Sequence, residues 1–177
     1  PQILVGAVTG GVGSLTLGAG AILTGSPNLF VGTASAVGSL TINGGTATVS
    51  TLSFGSGTGG AGTGVGALSI TGGNSRARFT DLTVGNTGAG SLTVSGGGSL
   101  NCTGSFTTIG ASGAGFVDVH SGGVWSTDGT ATLSGAALST ARVNVSGTGS
   151  RWDNSGGLSI GTLGTATLHV SGGADVT

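Results

Sequence analysis

Lysine, glutamate, tyrosine and methionine are absent from this 177-residue chain, and its charge is confined to four arginines and five aspartates. A net charge of −1 cannot form the basic stripe that phosphate neutralisation needs, which excludes nucleic acid as a partner. Cys102 is the single cysteine, so no internal disulfide can form. Two prolines, Pro1 and Pro27, exclude a collagen triple helix. Glycine or a hydroxyl residue interrupts every apolar run well short of the ~20 residues of a helical membrane span, so no membrane span is expected.

What remains is unusual: 42 glycines beside 36% hydrophobic residues, with a polar complement made almost wholly of Ser, Thr and Asn. Disordered glycine-rich linkers lack aliphatics, whereas this chain has a positive mean hydropathy. A helix is equally excluded, because glycine costs up to about 1 kcal/mol per helical position. Opening at Pro1 without methionine or an apolar signal segment, the chain reads as a processed product or a fragment of a longer one.

A phrase of apolar, any, apolar, glycine returns along the sequence, as in Ile3-Leu4-Val5-Gly6, Leu29-Phe30-Val31-Gly32, Leu82-Thr83-Val84-Gly85 and Leu158-Ser159-Ile160-Gly161. A degraded copy at Thr132-Leu133-Ser134-Gly135 places the closing glycines at 6, 32, 55, 85, 110, 135 and 161, a period near 26. Within each period two aliphatics flank one polar residue: Leu15 and Leu17, Leu40 and Ile42, Leu68 and Ile70, Leu92 and Val94, Val117 and Val119, Val143 and Val145, Leu168 and Val170. Alternation of strand side chains turns each pair inward, into core ladders, and the residue between them outward. A third apolar position follows a Gly-rich corner at Leu23, Val49, Phe79, Leu100 or Cys102, Trp125, Trp152 and Val176.

Strands of three to five residues between glycine corners cannot fold back as stable hairpins, so each must pair with its copy in the next period. The expected fold is all-β, a parallel β-helix (β-solenoid) of about seven coils with three short strands per coil. Coils fall near residues 3–28, 29–51, 52–81, 82–106, 107–131, 132–157 and 158–177, one domain in all. At ~4.8 Å per coil the rod is roughly 34 Å long. Residues 56–66 read as an expanded corner that bulges from coil three.

The run at residues 84–99, VGNTGAGSLTVSGGGS, resembles the autotransporter-associated and PEP-CTERM-associated repeats of bacterial surface proteins. The stretch Val145-Ser146-Gly147-Thr148-Gly149-Ser150-Arg151-Trp152 resembles the Gly-Ser-any-Trp portion of the same repeat. The resemblance implies an extracellular or cell-surface location and a parallel β-helical passenger associated with adhesion.

Chemistry is sparse. Asp128 and Asp153, with Arg151 and Asn154 nearby, would lie one coil apart at the third corner, the one place where two carboxylates could meet as glycoside hydrolysis requires. The outward position of the second strand reads Thr16, Thr41, Ser69, Thr93, Asp118, Asn144, His169, a polar ladder in which Asp118 and His169 stand roughly 10 Å apart. Trp125 and Trp152 share one column and, among Leu, Val and Phe, are expected to stack inside the core. Ser14 and Thr16, Ser39 and Thr41, Ala67 and Ser69, and Ser91 and Thr93 form a flat hydroxyl face of the kind an ice-binding surface would need. That face degrades at Phe116 and Asp118 and again at Arg142 and Asn144. Neither a convergent set of metal ligands nor a calcium-type aspartate in every turn is present, so no cofactor and no catalytic residues are expected.

The edges of the stack, marked by Ile3, Val5, Leu168, Val170 and Val176, carry apolar ladders and unpaired backbone. The expectation is a non-catalytic extracellular structural module whose partner is itself, head to tail, or adjacent repeats of a longer chain. Glycans or surfaces are the alternative partners of an adhesin, and a polysaccharide-active enzyme is the third reading.

Overall fold

A computed structural model describes residues 2–25, 27–56 and 64–177. Most of the expanded corner expected over 56–66 therefore lies outside the described residues. Every strand pairing among the described residues is parallel, and each joins one coil to the next, in a β-solenoid of about seven turns with a repeat close to 25 residues.

The second strands form a seven-stranded sheet of their own: Val12–Leu17, Val37–Asn43, Val65–Thr71, Ala89–Ser95, Ala114–His120, Thr140–Ser146 and Thr165–Ser171. Their registers align the aliphatic pairs from layer to layer in two ladders. One runs Leu15 on Leu40 on Leu68 on Leu92 on Val117 on Val143 on Leu168. The other runs Leu17 on Ile42 on Ile70 on Val94 on Val119 on Val145 on Val170.

Burial is not uniform along these ladders. Ile42, Ile70, Val94, Val119 and Val145 are fully buried, and so in effect are Leu40, Leu68, Leu92, Val117 and Val143, which form the core with Leu29, Leu52, Phe54 and Leu82. Three of the four terminal members depart from the expectation that all seven pairs are core, while Leu17 stays buried. Leu15 and Leu168 are only partly buried and Val170 is exposed, because a coil lies against them on one side alone. First and third strands together make a second, bent sheet of twelve strands. Two of its members, Thr46–Ser56 and Arg76–Val84, run from the third strand of one coil directly into the first strand of the next.

Two glycine columns explain why the chain can turn so sharply between first and second strands. Gly32, Gly55, Gly85 and Gly110 all have φ between +61° and +74°. A Cβ at Gly85 would strike the carbonyl of Ala114, and one at Gly90 would strike the backbone nitrogen of Gly85, so both sides of the corner need glycine.

Register corrects two further details of the sequence reading. Gly110 is matched in coil six by Ser134, not Gly135: the Ser134 amide donates to Ile109 O as the Gly110 amide donates to Val84 O, and Ser134 has φ +65°. The corner there is opened by the residues up to Ser139, whose carbonyl and hydroxyl hold the Ser134 hydroxyl at 2.9 and 2.8 Å. The third-strand column is also two ladders, not one. Leu23 aligns with Ala47, Ala77, Leu100, Trp125, Trp152 and Val176. Val49 and Phe79 lie on the neighbouring inward ladder with Cys102, Thr127 and Asn154. Bulk is exchanged between the two: Ala47 and Ala77 accompany Val49 and Phe79, while Trp125 and Trp152 accompany Thr127 and Asn154. Each layer so keeps a similar filled volume.

Candidate functional site

Trp125 and Trp152 are fully buried and stacked, with ring centroids 4.4 Å apart and planes 11° from parallel, so they belong to the core. The Trp152 indole N–H donates to Thr127 Oγ1 at 3.0 Å, and that hydroxyl donates to Asn154 Oδ1 at 2.7 Å. One coil earlier the position of Thr127 is occupied by Cys102. The Trp125 N–H is accordingly buried without a sound hydrogen bond, with the weakly accepting thiol as its polar neighbour. Burial pushes the Cys102 thiol up to about 12, against a small opposing effect of Trp125 and Thr107.

The carboxylates at the third corner are not directly opposite each other. Asp153 stands in register with Ser126, while Asp128 lies beyond the strand end at an exposed corner. Asp153 is engaged by Arg151 at 2.8 Å and accepts from the Thr177 hydroxyl at 3.1 Å. The pair thus lies one coil apart, as its spacing suggests, but offset by two residues in register.

The outer face of the seven-stranded sheet is different. Asn144 Nδ2 donates to Asp118 Oδ1 at 2.9 Å, and His169 Nδ1 lies 3.0 Å from Asn144 Oδ1. Because that amide oxygen can only accept, the contact gives the donor role to His169 Nδ1. Asp118, Asn144 and His169 are therefore one hydrogen-bonded row across three coils, with the amide bridging the two ends that the sequence placed too far apart for direct contact. His120, on the neighbouring column, pairs instead with the hydroxyl of Ser121 at 3.0 Å.

Beside this row the preceding outward column changes character. It is Ser14, Ser39, Ala67 and Ser91 in the first four coils, then Phe116 and Arg142. Those two side chains, with Ser91, Thr93, Asp118 and Asn144, line a shallow depression of about 310 Å³. Phe116 remains 46% exposed, and Arg142 makes no hydrogen bond or ion pair among the described residues. In the sequence these residues register only as the point where the hydroxyl array breaks down. The available signal is the arrival of two large side chains in a column of small ones.

Among the described residues no three His, Cys, Asp or Glu side chains are grouped so as to hold a metal ion, and no helix is long and apolar enough to cross a membrane. No family model matches the chain, and neither a curated protein nor a solved structure matches it.

Proposed function

We propose that this chain is a non-catalytic structural module of an extracellular or bacterial cell-surface protein, a rigid β-solenoid rod extended end to end by neighbouring repeats or by copies of itself. The carrying observation is the uniform stacking: every strand pairing among the described residues is parallel and joins one coil to the next, so that Val94, Val119 and Val145 repeat one fully buried inward position from layer to layer. Each coil laid on another buries apolar area and satisfies backbone groups together, and the same geometry would accept a further coil. A contact between unlike ends does not close on itself and so propagates along the rod. The likeness of residues 84–99 and 145–152 to bacterial surface-protein repeats supports the extracellular placement.

Electron microscopy with fibre diffraction of the purified chain tests the proposal. The expected result is rods several times longer than one chain, with an axial spacing near 4.8 Å. Dispersed single-chain particles at high concentration would overturn end-to-end stacking.

A further inference from the structure

Independently of how the rod is extended, the outer face of the seven-stranded sheet changes between its halves, and the change falls where chemistry could gain from it. Nothing in the fold requires a large residue at positions 116 and 142. Their register partners Ser91 and Thr167 are small, and both side chains point away from the core. Phe116 nevertheless leaves nearly half its surface in water, and Arg142 projects a guanidinium with no partner among the described residues. Two residues further along the same strands, roughly 7 Å away, runs the hydrogen-bonded row of Asp118, Asn144 and His169.

An exposed ring beside an unpaired guanidinium and a row of oriented amide, carboxylate and imidazole groups suits a ligand that is apolar on one face, rich in hydroxyls at its rim and negatively charged. We propose that this depression is a saccharide subsite for a uronate-bearing glycan. The C–H face of a pyranose ring lies against Phe116, and its carboxylate takes Arg142 in a forked pair. Ring hydroxyls donate to Asp118, which lines the depression.

Charge decides between ligand classes. Asp118 Oδ1 is occupied by the Asn144 amide and makes no ion pair with Arg142, so the guanidinium is left open to take a ligand carboxylate. A single cation flanked by a carboxylate is poorly matched to the regular phosphates of a nucleic acid. The depression, about 310 Å³, is at the small end of ligand sites and suits one or two sugar rings of a longer polymer lying over the face.

The test is titration calorimetry of the full chain with oligogalacturonate, oligoalginate and hyaluronan fragments, beside neutral dextran and cello-oligosaccharides. Binding to at least one uronate series is expected, weakening with added salt and falling at least tenfold in both Phe116→Ala and Arg142→Gln. Phe116→Tyr, which keeps the ring, is expected to retain it and serves if the alanine variant fails to fold. No binding to any uronate, equal binding of neutral and acidic glycans, or affinity unchanged in the variants would each overturn the assignment. None of these outcomes bears on rod formation, which microscopy reads separately.

Discussion

Cys102 and Trp125 show how much one atom matters inside a ladder. The indole of Trp152 has a hydroxyl to donate to, whereas that of Trp125, stacked 4.4 Å away, faces a thiol. Burial keeps that thiol protonated up to about 12 against an ordinary value of 9.0. Between those values the unfolded chain loses this proton and the folded chain keeps it, so the thiol's contribution to folding stability is constant below pH 9 and falls as pH rises above it. The slope is about 1.4 kcal/mol per pH unit, or roughly 2 kcal/mol by pH 10.5. With no lysine or tyrosine in the sequence, Cys102 is the one side chain that titrates in this window. Urea denaturation at pH 8 and 10.5 is expected to show the loss. In Cys102→Ser, which offers Trp125 a better acceptor, the loss should vanish, and stability at pH 7 should stay within about 1 kcal/mol of the parent. An equal loss in both proteins would assign the titration elsewhere.

At the scale of the strand and its corner, the glycines divide into two kinds that the sequence does not distinguish. Gly20 and Gly85 have the same left-handed backbone, φ +75° and +74°, but a Cβ at Gly20 meets open space and one at Gly85 meets the Ala114 carbonyl. Gly20→Ala is expected to cost only the conformational penalty, about 1–2 kcal/mol. Gly85→Ala adds a backbone collision and is expected to cost at least about 3 kcal/mol, or to prevent folding. Denaturant midpoints of the two variants check this, and equal costs would contradict the interlocked corner. The same comparison explains what is legible in the sequence. The alternating aliphatic pairs from Leu15 to Val170 predict the second-strand register correctly, because a period of two leaves one face to bury. The same pattern is silent on depth: Ile42 and Val170 look alike in sequence, and only the number of coils against them makes one core and the other edge. The corner at Ser134 reads as Gly135, because a buried hydroxyl network permits a positive φ without glycine. The ladders of Val49 and Trp125 read as one, because a shift of two residues preserves the inward face and so leaves the hydrophobic pattern unchanged. The candidate glycan site is hidden for another reason: Phe116 and Arg142 acquire meaning only beside Asp118, Asn144 and His169, a neighbourhood made by stacking coils 25 or 26 residues apart.

For the whole molecule, coils that touch only their neighbours make stability a sum of layer and interface contributions, so the consequence of a substitution depends on its height in the stack. Val145 and Val170 occupy the same inward position one coil apart, the first fully buried and the second open at the edge. Val145→Lys would place an unpaired charge between two layers, at a cost of several kcal/mol, and is expected to unfold the surrounding coils, seen as lost β-sheet circular dichroism. Val170→Lys lets the ammonium reach water past the edge, so the dichroism should persist. The coil that would cover that edge must then bury the same charge, and rods seen by microscopy should shorten to single chains. If Val170→Lys leaves rod length unchanged, growth does not pass through this edge. If both substitutions unfold the protein alike, the layers are coupled more strongly than nearest-neighbour stacking allows.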